Sequence, residues 1–277
     1  GHKDQNGRLY HGGYWKTTTG WPVPGTKFVN YYFHHDRTLS TGPPEPAVAP
    51  TTYTYDPRDP VPTIGGSFTG SKELAAAGAF DQRERAFNGD ADTRFYGSKP
   101  PYLPLKARPD VRVFQSEPLA QDMEVIGPIV VKLFASSTAP DTDFTAKLID
   151  VYPPSRDYPS GFEMNVTDGI IRARYRNAMD KPEMMTPGEV YRFEIEPFPT
   201  ANVFKKGHRI RVDISSSNFP RFDVNPNTGG PLGQDRQVVV ATNSIYHDAS
   251  RPSLVVLPIM GRPAPPPSGA RGQAVQL

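Results

Sequence analysis

The stretch KGHRIRVDISSSNFPRFDVNPNTGG, residues 206–230, changes character halfway along. Over residues 209–215 apolar and charged residues alternate, which is the period of a strand with one buried face and one solvent face. Ser, Asn, Pro, Asp and Gly follow, and these residues favour turns. We therefore predict a strand that leads into a long, ordered loop. The buried face is assigned to Ile210, Val212 and Ile214, and the solvent face to Arg209, Arg211 and Asp213.

Similar strand patterns recur along the chain, whereas helical patterns are scarce. The 277 residues include 32 prolines, which are excluded from helix interiors and from central strands. Many strands without intervening helices favour an antiparallel sandwich. We predict an all-β fold, a jelly-roll β-sandwich that is galactose-binding-domain-like, with few short helices. The other predicted strands include residues 27–33, 111–117, 129–137, 143–153, 169–176, 190–198, 237–246 and 253–260.

Two of these strands carry alternating charges. Arginines alternate with apolar residues over 169–176, and residues 190–198 contain Arg192, Glu194 and Glu196 in the same alternation. Opposite charges on neighbouring strands attract weakly across a sheet. We therefore predict that these two strands pair and that their charges meet on a solvent-facing side.

The chain has the size of one large β domain. We predict a single β-sandwich over residues 1–262, interrupted by a long excursion at about 65–106. Residues 263–277 are rich in Pro, Gly and Ala, a composition typical of a flexible tail.

Composition argues against several classes of partner. The net charge is +2, from 31 basic and 29 acidic residues, and there is no cysteine. Charges of one sign do not cluster, so we predict neither nucleic-acid nor membrane binding. No apolar run approaches the roughly 20 residues of a membrane span, and the sequence contains no signal peptide. We predict no cofactor.

No pattern in the chain predicts catalysis. The G-x-S-x-G elbow of serine hydrolases is missing from the sequence. The carboxylates of Asp141 and Asp143 suit either a turn or a metal site, and the alternation of Asp223, Asn225 and Asn227 is equally ambiguous. A calcium ion needs about six to eight oxygens, so we favour turns and predict no metal and no catalytic residue.

Several long phrases resemble the C-terminal region of CocE/NonD hydrolases, the family of cocaine esterases, α-amino acid ester hydrolases and X-Pro dipeptidyl-peptidases. YDPRDPVPTIGG and NVTDGIIRARYR are two of them. They follow the family's order along most of the chain. The phrases lie at residues 55–66, 116–152, 165–176, 186–229 and 253–260.

The resemblance implies a role beside a catalytic domain. The family joins an α/β-hydrolase with a Ser-Asp-His triad, a helical cap and a jelly roll, and the match here begins near the jelly roll. It therefore implies a non-catalytic β-sandwich that braces the hydrolase and cap domains of a serine esterase, acylase or dipeptidyl-peptidase. It also implies a bacterial protein, cytoplasmic or secreted, with homo-oligomers as a further expectation. The implied substrate-pocket wall is Ser67, Phe68 and Thr69, and the implied interdomain face is Asn218, Phe219, Arg221 and Asp223.

Two other functions fit the same residues. Jelly rolls often bind sugars through exposed aromatic rings, so Trp15 and Trp21 in a row on one sheet would favour an independent glycan-binding module. The long segment 85–106 and the tail would instead suit an assembly module.

Overall fold

A computed structural model describes residues 13–66, 78–79, 81–83 and 104–261. Ser67, Phe68, Thr69, the tail and most of the excursion lie outside the described residues. The strands are β1 Thr26–Phe33, β2 Leu39–Ser40, β3 Thr51–Tyr55, β4 Arg112–Gln115, β5 Met123–Gly127, β6 Val130–Ser137, β7 Asp143–Tyr152, β8 Phe162–Arg172, β9 Tyr191–Ile195, β10 Thr200–Phe204, β11 Arg209–Ser215, β12 Ala241–Tyr246 and β13 Leu254–Met260.

The strands form two antiparallel sheets. The large sheet has the order β10-β5-β13-β6-β12-β3, with β1 paired to β13 and β2, and β9 paired to β6. The small sheet has the order β4-β11-β7-β8. Helical structure in the described residues consists of two 3₁₀ turns, Leu105–Ala107 and Ala173–Tyr175. The predicted all-β sandwich with few short helices is confirmed. No described helix has the length and apolarity to cross a membrane.

The hydrophobic core lies between the two sheets. Ile210, Val212 and Ile214 of β11 are buried in it, as their alternation predicts. Across the core the rings of Phe144 and Phe193 lie 4.8 Å apart. Burying each such side chain contributes about 1.5–3 kcal/mol, so this layer fixes the packing of the small sheet on the large one.

The other side of the small sheet is covered as well. Residues 61–64 and 104–111 lie over it and form a second apolar cluster of Val61, Ile64, Leu105 and Val111. Arg211 is 0% exposed and Asp213 is 5% exposed. The assignment of these two residues to a solvent face is therefore wrong. An alternating pattern separates the two sides of a strand, but it does not reveal what later covers the polar side.

Arg211 is the main charge under this cover. Its guanidinium lies 2.6 Å from Glu163 on β8 and 2.9 Å from Asp213 on its own strand. A buried charge is tolerable only with such partners, because leaving water costs several kcal/mol per ion. Burial still raises the pKa of Asp213, against the opposing effect of Arg211.

The predicted pairing of strands 169–176 and 190–198 is also wrong. β8 pairs with β7 in the small sheet, whereas β9 pairs with β6 in the large one. β8 ends at Arg172 and continues as a 3₁₀ turn. Arg172 and Arg174 bind the carboxylates of Asp143 and Asp141, at and just before the start of β7, instead, and this stronger, buried pairing overrides a weak cross-strand attraction.

Replacing Arg211 by Leu tests the buried ion group. We expect the free energy of unfolding of the 277-residue chain to fall by about 3–5 kcal/mol, because Glu163 and Asp213 would stay buried without their shared cation. Urea titration measures this loss. Arg192→Leu is the matched control, since Arg192 pairs with Glu194 at the exposed surface of β9 and should cost less than about 1 kcal/mol. Equal losses in the two variants would contradict the assignment.

Candidate interdomain face

Three serines, Ser215–Ser217, stand at the end of β11 and directly after it. All three are buried, and each reaches a different element. Their hydroxyls link neighbouring parts of the chain by hydrogen bonds. The contacts are Ser215 Oγ to Thr145 Oγ1 at 2.6 Å, Ser216 Oγ to Tyr53 OH at 2.8 Å, and Val61 N to Ser217 Oγ at 2.8 Å.

The next residues of the loop pair with residues 61–66, which we call the covering segment because they lie over the small sheet. Phe219 N donates to Val61 O at 2.9 Å, and Thr63 N donates to Phe219 O at 2.7 Å. These two bonds form a short parallel bridge. The Thr63 hydroxyl lies 2.9 Å from Asn218 Oδ1 and accepts the Arg221 amide at 3.3 Å. The loop and the covering segment therefore hold each other in place.

Asp168 on β8 anchors this loop to the small sheet. Asn218 Nδ2 donates to one carboxylate oxygen at 2.8 Å, and the Arg221 guanidinium lies 3.2 Å from the other. Lys147 on β7 stands between Asp168 and Asp213 in the strand register. Burial lowers the pKa of the Lys147 amine, and the two flanking carboxylates oppose that shift.

A second group of charges ties the far end of the loop to the same sheet. Arg174 Nε donates to Asp141 at 2.8 Å, and Arg172 Nε donates to Asp143 at 2.9 Å. Asn225 Nδ2 lies 2.9 Å from Asp141 and 2.7 Å from Asp143. Burial raises the pKa of Asp143 even though Arg172 lies against it.

This arrangement explains both ambiguous polar motifs. Asn225 from the loop meets Asp141 and Asp143, and two arginines occupy the positions around the carboxylates that a cation would need. Within residues 13–66, 78–79, 81–83 and 104–261, no group of three or more His, Asp or Glu side chains could hold a metal ion. The carboxylates here organise the chain.

Above this buried base, apolar side chains reach the solvent. Phe198, which follows β9, is 63% exposed. The Arg221 guanidinium lies 5.6 Å from the centre of its ring and 5.2 Å from that of Phe222. Met184 lies near Gly229, and Val239 is bonded through its backbone to Pro226 and Asn227. We call the exposed or partly exposed apolar side chains on this loop and beside it the apolar face: Phe198, Phe222, Met184, Leu232, Val238, Val239 and Val240.

The four residues that the resemblance assigned to an interdomain face have unequal positions. Asn218 is 1% exposed and is enclosed by this chain's own residues. Phe219 and Arg221 are partly buried, whereas Asp223 is exposed. Asn218 can therefore support such a face only by holding the loop in place, without touching a partner domain. Phe198 and Met184 also lie beside this loop; they were not among the predicted residues, because their segments do not adjoin the loop in sequence.

The exposed tryptophans do not form the row that a glycan-binding sheet would present. Trp15 is fully exposed and Trp21 is 58% exposed, but both precede β1 and lie on no strand. The segment is held to the large sheet by Glu124, which accepts from the Tyr14 hydroxyl at 2.7 Å and from Lys16 at 2.6 Å.

Comparison with known proteins identifies a matching family and similar proteins. Residues 2–256 match the family described as X-Pro dipeptidyl-peptidase C-terminal non-catalytic domain. Cocaine esterase of Rhodococcus sp. (strain MB1 Bresler) is 37% identical over 258 residues, which are 90% of this chain and 40% of that protein.

Solved structures agree with the sequence comparison. An aminopeptidase from the marine sediment archaeon Thaumarchaeota archaeon has a TM-score of 0.75 and 27% identity, over 91% of this chain and 39% of that one. An α-amino acid ester hydrolase has a TM-score of 0.69 and 29% identity, over 84% and 36%. The chain therefore spans 40% or less of the length of these three relatives.

Asn225 offers a test of the base of the loop. We expect Asn225→Ala to lower the free energy of unfolding by about 1–3 kcal/mol, because two buried carboxylates lose a shared donor. Asn225→Asp should cost more at neutral pH and less as the pH falls, because a third carboxyl among Asp141 and Asp143 would bind its proton more tightly in the folded state. Urea titrations at several pH values measure both effects.

The control for this pair is Asn177→Ala. Asn177 donates to Glu183 at 2.7 Å on the exposed surface, so its loss should change stability by less than about 0.5 kcal/mol. A pH-independent cost for Asn225→Asp would show that the three side chains do not share one electrostatic environment.

Proposed function

The chain belongs to the family of non-catalytic C-terminal domains of X-Pro dipeptidyl-peptidases and related CocE/NonD hydrolases, and we propose that it braces the catalytic part of a serine hydrolase. Its relatives are a cocaine esterase, an α-amino acid ester hydrolase and an archaeal aminopeptidase. We infer an ester or amide bond as the substrate class. The partners would be the family's α/β-hydrolase and cap domains.

The observation that carries this proposal is an exposed apolar face on a rigid base. The loop after β11 is tied to the small sheet by the contacts of Asn218 with Asp168 and of Asn225 with Asp143. A loop that is already ordered loses little further entropy on association. Phe198 is 63% exposed in this chain and lies with Phe222 around the Arg221 guanidinium, and exposed apolar side chains grouped in this way are typical of a protein interface. Phe219, Arg221 and Asp223 would lie within or beside the contact.

The second part of the proposal concerns the substrate pocket. Ser67, Phe68 and Thr69 come directly after Gly66, the last residue of the covering segment. Gly66 is paired through its backbone with Gly78, by bonds of 2.7 and 3.0 Å. We propose that these three residues form a wall of the pocket next to the acyl group, with Phe68 as its apolar surface. The support is the family resemblance and the anchored segment that precedes them.

A charge placed in the apolar face tests the bracing role. Phe198→Asp should leave the stability of the 277-residue chain unchanged within about 0.5 kcal/mol, because the position is exposed there. In the natural polypeptide that contains this chain, we expect the same change to lower kcat/KM for p-nitrophenyl esters by about tenfold or more, because an unpaired charge buried in an interface costs several kcal/mol.

Phe28→Asp is the matched control. Phe28 is 53% exposed on β1 of the large sheet, away from the loop. It should leave both the chain and the natural polypeptide unchanged. If Phe198→Asp and Phe28→Asp behave alike in the natural polypeptide, the proposed face is not an interface.

A further inference from the structure

The covering segment 61–66 is held from several directions. Val61 O accepts a hydrogen bond from Phe219 N, and Val61 N donates one to Ser217 Oγ. Gln82 Nε2 donates to Ile64 O at 2.8 Å, and Gly66 pairs with Gly78. The path of this segment therefore decides where the chain continues at residue 67.

These tethers converge on one carboxylate. Each oxygen of Asp168 is bound by a residue that also contacts Thr63. Asn218 presents Nδ2 to Asp168 and Oδ1 to the Thr63 hydroxyl, at 2.8 and 2.9 Å. Arg221 lies 3.2 Å from Asp168 through its guanidinium and 3.3 Å from the Thr63 hydroxyl through its amide. Together, Asp168, Asn218, Thr63 and Arg221 form a closed ring of polar contacts.

The ring bridges a gap between the sheet and the segment. A cavity of about 340 Å³ is lined by Gly66 and Gly78 on one side and by Asn165, Asp168 and Phe198 on the other. Among the described contacts, those that connect Asp168 with Thr63 run through Asn218 and Arg221. The carboxylate also fixes the orientation of the Asn218 amide, because only its NH₂ group can donate to an acceptor-only carboxylate. That orientation leaves the amide oxygen facing Thr63.

We propose that Asp168 is a positioning residue that holds segment 61–66 through Asn218, Arg221 and Thr63, and thereby sets where the pocket-wall residues 67–69 enter the substrate pocket. This inference rests on the proposed function, since it assigns the wall to those residues. The new element is that Asp168 on β8, about a hundred positions further along the chain, sets the position of this segment. Asp168 acts on acyl selectivity without contact with substrate.

The test combines hydrogen exchange with kinetics, and it compares three variants. Asp168→Asn removes the charge that Arg221 and Asn218 share. Thr63→Val removes only the hydroxyl and leaves every buried charge paired, so it stays informative if Asp168→Asn does not fold. Thr63→Ser keeps the hydroxyl and is the conservative rescue.

In the 277-residue chain, we expect amides 61–66 to exchange roughly fivefold to tenfold faster in Asp168→Asn and Thr63→Val than in Thr63→Ser. In the natural polypeptide, we expect the same two variants to lower kcat/KM for p-nitrophenyl benzoate by about tenfold through KM, with less than about a twofold change for p-nitrophenyl acetate. General damage to the fold would lower both substrates alike and would also appear outside segment 61–66.

The outcomes separate the two claims. Unchanged exchange of amides 61–66 in Asp168→Asn and in Thr63→Val overturns the positioning role, whatever the kinetics show. Faster exchange with unchanged selectivity between the two esters supports the tether and overturns the pocket-wall role of residues 67–69. Faster exchange with altered selectivity, rescued by Thr63→Ser, supports both.

Discussion

The fold depends on pairing charges that are buried on the outer side of the small sheet. Across three neighbouring strands, Asp213, Lys147 and Asp168 alternate in sign, and Arg211 lies beside this row with Glu163 as its second partner. A buried ion without a partner costs several kcal/mol, whereas a paired one adds little net stability. The group therefore selects one arrangement of strands and loops more than it adds to the stability of the sandwich.

The covering segment and the loop after β11 follow from this constraint. Val61 and Ile64 supply the apolar contacts that keep water away. Asn218 and Arg221 each bind one of the two carboxylate oxygens of Asp168. Groups that resemble catalytic residues by type thus serve to order the backbone. The result is an ordered loop with exposed apolar side chains on it and beside it, Phe198 among them, which suits a domain whose family is described as non-catalytic.

Sequence patterns predicted the part of this fold that depends on local order. The alternation of Ile210, Val212 and Ile214 correctly placed one side of β11 in the core, because sidedness is a property of the strand itself. The burial of Arg211 was not predictable in the same way, since its cover comes from residues about 100 to 150 positions earlier. Likewise, Asp141 and Asn225 each looked ambiguous alone and became interpretable only when the fold brought them together. The family was predictable because long phrases preserve its order.

We propose that the apolar face is covered in a longer polypeptide that joins this chain to a hydrolase domain, and that it is exposed in the 277-residue chain alone. Hydroxyl-radical footprinting of both proteins, read by mass spectrometry, tests it most directly, because Met and Phe side chains oxidise in proportion to their exposure. We expect Phe198 and Met184 to be oxidised readily in the chain alone and to be protected in the longer polypeptide, with Phe28 oxidised equally in both. Equal oxidation of Phe198 and Met184 in the two proteins would contradict it.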